Sequence, residues 1–220
     1  MNIQKDDIVY KAFAQSNAIM HGCFELSSGL ISDTYMQCAL LFTENKTGEY
    51  ISRLCVEKLP KKIIDEVEII VGPAIGAMIF CYEFSRQINL IRESEGDFIP
   101  VKNFFCEKVI NANGEKSFTL KRGFKIKPNQ KVLIVEDVCT TGNSALKCAN
   151  VIKNDFNAEI IAAMSIIDRS CGKAKNLFQK ENNIPYFALR TWDIMSYDRD
   201  NLPNHLAELN AVYLGSQTKA

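Results

Sequence analysis

The chain has only two histidines, His21 and His205, and no two of its eight cysteines form a C-x-x-C pair. A zinc site needs clustered ligands at knuckle spacing, so none is expected. Neither sign of charge is in excess, with Lys+Arg and Asp+Glu both at 26. That balance gives no global attraction to nucleic acid or an anionic membrane, so neither partner is expected. An anionic ligand must be met by a local site. The longest apolar run, Ile69 to Tyr82, is interrupted by Gly72, Pro73 and Gly76 and is too short to span a bilayer. The N-terminus, MNIQKDDIVYKAFAQS, lacks a basic segment followed by an apolar core, which speaks against a signal peptide. A cytoplasmic protein is therefore expected. Cys23, Cys38, Cys55, Cys81, Cys106, Cys139, Cys148 and Cys171 are read as scattered small hydrophobes in a reducing compartment.

What is present has the composition of a globular chain, with 47% hydrophobic and 24% charged residues. The 220 residues suit one domain, and no internal repeat or linker divides them. Residues 5 to 20 carry Ile8, Val9, Phe13, Ile19 and Met20 at the spacing of an amphipathic helix. Phe24 and Leu26 alternate around Glu25, Ser27-Ser28-Gly29 marks a turn, and Tyr35 to Phe42 reads as extended, which together describe a hairpin. Residues 45 to 59 read as a helix stopped by Pro60. Val67 to Val71 is a buried strand, and Gly72-Pro73-Ala74-Ile75-Gly76 leads into a helix through about Ile88. That turn suits either phosphate contact or tight strand-to-helix packing. A strand over Asp97 to Phe105 and a basic hairpin with turn signals at Asn111 to Gly114 follow. Further strands are expected at Glu159 to Ile167 and Phe187 to Leu189. Strands alternating with helices on short connections predict an α/β fold with a mainly parallel sheet flanked by helices.

The most informative stretch is VLIVEDVCTTGNS, Val132 to Ser144. Its aliphatic start, Val132 to Val135, suits a strand buried on both faces. Glu136 and Asp137 stand where that strand is expected to end. Thr140, Thr141, Gly142, Asn143 and Ser144 then form a small, hydroxyl-rich turn before a helix-compatible segment. Backbone N–H groups at a helix N-terminus, with hydroxyl donors and a flexible glycine, suit a phosphate monoester. No Gly-Lys-Ser/Thr follows, so this is not a triphosphate-binding loop. Two carboxylates beside a phosphate cradle would repel the ligand unless they accept ribose hydroxyls or hold Mg²⁺ on a diphosphate. Ribose, monophosphate and Mg-diphosphate together describe phosphoribosyl diphosphate (PRPP). Cys139 lies within the turn, but nothing near it in sequence supplies a general base, so it is not read as a reactive thiol.

VLIV followed by EDVCTTGNS resembles the PRPP-binding motif of the type I phosphoribosyltransferases. From Phe24 nearly to the C-terminus the chain resembles the orotate phosphoribosyltransferase branch. FELSSGLISDTY is similar to that branch's N-terminal substrate segment, VGPAIGA to its pyrophosphate-side loop, FCEK…LKRGF to its flexible hood, and IIDRS to its strand ending in Asp-Arg. GSQ near the end is similar to a frequent terminal Gly-Ser. The resemblance implies a single phosphoribosyltransferase domain with a substrate element over about 1–45 and a hood over about 105–122. It implies PRPP contacts from Glu136, Asp137, Val138, Cys139, Thr140, Thr141, Gly142, Asn143 and Ser144. It implies orotate contacts from Thr140 and Arg169, with Ser27 and Tyr35 as further candidates. It also implies Mg²⁺ held mainly through PRPP, and a homodimer with shared sites.

The hood departs from the family pattern Arg-Lys-x-x-Lys-x-His. Glu107, Asn111 and Asn113 stand at the arginine, second lysine and histidine, so only Lys108 keeps a basic residue there. Gly76 replaces a lysine often found after the Gly-Pro turn, and Ser27 stands where some members have a lysine. Lys108, Lys121 and Arg122 are therefore the candidates to meet the diphosphate, with Lys108, Glu136 and Asp137 expected to act in catalysis. Two other readings remain: a purine-base phosphoribosyltransferase, and a non-catalytic PRPP- or nucleotide-sensing regulator of the same fold.

Overall fold

A computed structural model describes residues 6–26, 29–96, 99–110, 114 and 116–214. Nine strands and seven short or long helices are distinguished among them. The order is α1 (Ile8–Gln15), β1 (Ile19–Glu25), β2 (Ile31–Met36), α2 (Asn45–Val56), α3 (Lys61–Glu66), β3 (Ile69–Pro73), α4 (Met78–Ser94), β4 (Lys102–Ile110) and β5 (Lys116–Leu120). Then come β6 (Lys131–Cys139), α5 (Asn143–Phe156), β7 (Glu159–Asp168), α6 (Lys173–Lys175), β8 (Tyr186–Thr191), α7 (Asn204–Ala207) and β9 (Val212–Tyr213).

A six-stranded sheet runs β5-β4-β3-β6-β7-β8. All its pairs are parallel except β4 with β5. Chain order leaves β3 toward β4 on one side and leaves β6 toward β7 on the other. The crevice at the carboxyl ends of β3 and β6 is therefore the topological switch point, where open sheets bind ligands. The unalternating aliphatic strands follow from burial on both faces. Ile70, Leu133 and Val135 pack toward α2 and α4 with Ile51, Phe80 and Phe84. Ile69, Val71, Val132 and Ile134 face α5 with Ala145, Cys148 and Ile152. Arg92 of α4 is buried and donates to the carbonyl oxygens of Ile64, Val67 and Ile99, which ties the end of α3 to the approach of β4.

A second, three-stranded sheet has the order β2-β1-β9. The expected hairpin is present as antiparallel β1 and β2, and β9 adds parallel to β1 from the far end of the chain. Several expectations are corrected here. Ile19 and Met20 belong to β1, because α1 ends at Gln15. The extended run stops at Met36, and Cys38–Phe42 is a tight helical turn. The helix expected over 45–59 ends at Val56, and α3 follows Pro60. The strand placed at Asp97 begins at Lys102, and α4 runs to Ser94. The central strand does not end at its carboxylates but continues to Cys139, paired with β7 as far as Asp168.

Candidate active site

The site grows from the last turns of β3 and β6. Glu136, Asp137 and Val138 are half-buried at the end of β6, beside the Gly72–Gly76 turn that follows β3. The approach of the two turns is close enough to dictate residue size. A Cβ at Gly76 would stand 2.8 Å from Asp137 Oδ2 and 3.1 Å from Oδ1. A Cβ at Gly72 would stand 2.9 Å from the Val135 carbonyl and 2.8 Å from Cys81 Sγ. Glycine in place of the family's lysine is thus the residue that lets this loop lie against the carboxylate. From the opposite side Cys38 Sγ approaches the Asp137 carbonyl oxygen at 3.8 Å.

Burial sets the protonation of the pair. Glu136 is pushed up to about 8, first by loss of solvation and then by the charge of Asp137 beside it. Its Oε2 atom is shut off from solvent and has no hydrogen-bond partner. Asp137 is also raised, by burial, against which the backbone N–H of Val138 and the charge of Lys108 act. Lys108, exposed on β4, favours the ionised form of both carboxyls, so the one basic residue retained in the hood faces the acidic pair of its own chain.

Beyond Cys139 the chain turns through Thr140 and Thr141, both exposed, into α5. Gly142 caps that helix at φ 85 with no side-chain hydrogen bond to the first turn. The first N–H of the helix, that of exposed Asn143, donates to the Thr141 hydroxyl at 3.4 Å, with half-buried Ser144 next in the turn. Gly142 is demanded twice, by its left-handed φ and by space. A Cβ there would meet Leu177 and Phe178 at 3.1 Å. The N-terminus of this four-turn helix, whose glycine cap offers no side chain and which is lined by hydroxyls, favours negative charge.

Arg169 follows β7 and is only 8% exposed. Its backbone N–H donates to the Cys139 carbonyl at 2.9 Å, which fixes it beside the acidic strand end. Burial lowers its pKa, with Asp33 the main opposing influence. Tyr35 on β2 is half-buried against Phe24, ring centroids 5.7 Å apart, and donates to the Leu214 carbonyl at 3.2 Å. Burial raises its phenol, with lesser contributions from the charges of Tyr213 and Asp137.

Other expected residues are placed differently. Arg122 is held by Glu107 in an ion pair at the hood surface, Nε to Oε1, while Lys121 is exposed beside it. Ser27, Asn111, Asn113 and the terminal Gly-Ser lie outside the described residues. All eight cysteines are free, and only Cys171 is exposed. Cys139 has its thiol pushed up, chiefly by burial, in line with an inert packing role. No group of three or more His, Cys, Asp or Glu among the described residues forms a metal cage. No helix among them is long and apolar enough to cross a membrane. Ser32, Ser196 and Tyr213, which reach Arg169 and Tyr35, had no signature in the sequence, because only the fold brings the two chain ends together.

Known proteins place this architecture. A family model described as phosphoribosyl transferase domain matches residues 50–187, which span the PRPP motif, the Gly-Pro loop and the hood. The orotate phosphoribosyltransferase of Carboxydothermus hydrogenoformans is 35% identical over 195 residues, 89% of this chain and 90% of that one. That of Bartonella quintana is 36% identical over 209 residues, 95% of this chain and 96% of that one. The crystal structure of orotate phosphoribosyltransferase from Aeropyrum pernix superimposes with a TM-score of 0.62 at 18% identity, covering 84% of this chain and 94% of that one. Adenine phosphoribosyltransferase from Saccharomyces cerevisiae gives 0.61 at 15% identity, covering 83% of this chain and all of that one. At such identities the structural matches bear on the fold, which both base classes share. The chain belongs to the phosphoribosyltransferases and, by its near-full-length relatives, to the orotate phosphoribosyltransferase family.

Proposed function

We propose that this chain transfers the ribose 5-phosphate group of PRPP to orotate, giving orotidine 5′-monophosphate and diphosphate, as a step of de novo UMP biosynthesis. The observation that carries the proposal is the convergence of three features on one sheet edge. These are the half-buried pair Glu136 and Asp137, the hydroxyl-lined N-terminus of α5, and the buried Arg169. The bond from the ribose anomeric carbon to diphosphate breaks as the bond to the orotate ring nitrogen forms. Positive charge develops on the ribose between the two events, and catalysis is positioning plus electrostatic stabilisation. Glu136 and Asp137 hold the ribose hydroxyls and, in the ionised form that Lys108 favours, stabilise that charge. Thr140, Thr141, Gly142, Asn143 and Ser144 hold the 5-phosphate. Arg169 meets the flat, carboxylated pyrimidine, because a guanidinium fork matches planar acceptors. Tyr35 walls the base side. Lys108 meets the diphosphate, and the β4–β5 hairpin covers the reacting atoms from water.

Magnesium fits this site as a companion of the substrate. The carboxylates offer hard oxygen donors, one of them unpartnered, yet they are too few for a protein cage. An ion that takes most of its ligands from diphosphate and water suits them. When bound, Mg²⁺ neutralises charge on the leaving diphosphate. The homodimer implied by the family is part of the proposal, supported by solvent-facing Ile79 and Tyr82 on α4 beside exposed Ile75. A cytoplasmic setting accords with eight unpaired cysteines. The test is diphosphate release from PRPP and Mg²⁺ with orotate, adenine or hypoxanthine in turn. Turnover with orotate alone is expected. Turnover only with a purine base, or none with any base, would overturn the proposal.

A further inference from the structure

Residues 195–214 lie outside the stretch matched to the phosphoribosyl transferase domain and carry no recognisable motif. They are nevertheless laced to the base side of the cleft. Tyr197 and Ile31 exchange backbone hydrogen bonds of 2.7 and 2.9 Å. Ser32 Oγ donates to the Met195 carbonyl at 2.9 Å. Leu206 is buried with Cys23 and Ile31, and β9 extends the hairpin sheet. At the centre of this lacing stands Arg169. Its Nη2 donates to Ser32 Oγ and Ser196 Oγ, each at 3.5 Å. Its Nε and Nη1 have no partner among the described residues.

A guanidinium this buried ordinarily pairs with a carboxylate, since a desolvated cation without a counter-charge is costly. Here the carboxylate whose charge acts on it, Asp33, makes its direct contacts with other groups. It accepts from the Thr34 hydroxyl at 2.8 Å and lies 3.9 Å from His205 Nε2. The guanidinium's own hydrogen bonds go to two neutral hydroxyls rather than into an ion pair. One comes from β2, the other from the C-terminal segment. At 3.5 Å both contacts are at the long end for a hydrogen bond, so they flank the guanidinium and leave room for it to shorten its bonds to an anionic ligand.

We propose that Ser196, with Ser32 opposite it, is a positioning residue for the base: it aims the Arg169 guanidinium at an anionic, planar base and so makes the C-terminal segment part of the specificity site. This rests on the assignment of Arg169 to the base, and the experiment separates the two. Michaelis constants for orotate at saturating PRPP, PRPP affinity by calorimetry and thermal midpoints are measured for Arg169→Met, Ser196→Ala and Ser196→Thr. Ser196→Ala is expected to raise the orotate constant by roughly three- to tenfold, the scale of one hydrogen bond to a charged group. PRPP affinity and the thermal midpoint should stay unchanged, and Ser196→Thr, which keeps the hydroxyl, should restore the wild-type constant. An effect for Arg169→Met with none for Ser196→Ala overturns the role of Ser196 alone. No effect for either overturns the assignment of Arg169 as well. A Ser196→Ala loss that comes with a lowered midpoint, or that Ser196→Thr fails to rescue, marks a merely structural residue and also overturns the proposal.

Discussion

The two halves of the cleft are built on opposite plans. The side proposed to hold phosphate is made of continuous chain, one strand, one turn and one helix, with glycines where side chains would collide. Its donors are backbone groups and short hydroxyls that need no partner from elsewhere. The proposed base side is assembled from β2, the end of β7 and the C-terminal segment, with Ser32 lying 137 positions and Ser196 lying 27 positions from the Arg169 they meet. A local device can serve any substrate bearing ribose and phosphate. A composite one can be altered at each of its strands without disturbing the first. The matched family domain accordingly includes the first side and leaves much of the second outside it.

The comparison predicts effects of different size and kind. The largest belongs to Asp137, whose carboxylate would crowd any side chain at Gly76. Asp137→Asn should lower turnover by about 10²–10³, as for loss of a group that stabilises transition-state charge, with the fold intact by circular dichroism. A fall of less than tenfold would remove Asp137 from the catalytic machinery.

Glu136 comes next, through pH. Its carboxyl titrates near 8 in the folded chain and at an ordinary, lower value when unfolded. Across that window the folded state holds the proton more tightly, so stability falls as pH rises from about 5 to 8. Glu136→Gln removes the titration. The variant's thermal midpoint should therefore gain on wild type between pH 6 and pH 8.5. A constant difference across that range would show that Glu136 is not held neutral by burial.

The smallest effect contrasts two unpartnered polar atoms. Ser52 Oγ is wholly buried in α2 without a hydrogen-bond partner among the described residues. Ser52→Ala should be neutral or stabilise by about 1 kcal/mol in chemical unfolding, since an unmet buried hydroxyl is a cost. Clear destabilisation would mean that the hydroxyl has a role in the core.

The same contrast explains what could be read before the structure. The buried strand at Val132–Val135, the acidic pair and the Thr140–Ser144 turn are contiguous, so their chemistry is visible in sequence order. The parallel sheet followed from aliphatic runs that show no alternation. Arg169 could be assigned only by resemblance, because its partners Ser32 and Ser196 are ordinary serines until the sheet β2-β1-β9 closes. Boundaries suffered for a related reason. Ile19 and Met20 fit a helical stripe, but pairing with β2 outweighs that local pattern. Glu136 and Asp137 looked like a strand end because charge usually marks one. Pairing with β7 carries the strand through them, which is how two carboxyls come to be desolvated.

The division of labour is tested most directly by measuring two variants on both substrates. Gly142→Ala strains a left-handed position of the phosphate turn, at about 1–2 kcal/mol, and crowds Leu177 and Phe178. Arg169→Met removes the base-side cation. PRPP affinity without orotate and the orotate Michaelis constant at saturating PRPP are recorded for each. The account predicts that Gly142→Ala weakens PRPP by about tenfold and leaves orotate nearly unchanged, while Arg169→Met raises the orotate constant by roughly 10- to 100-fold and leaves PRPP nearly unchanged. Loss of PRPP affinity in Arg169→Met as large as its loss for orotate would contradict it.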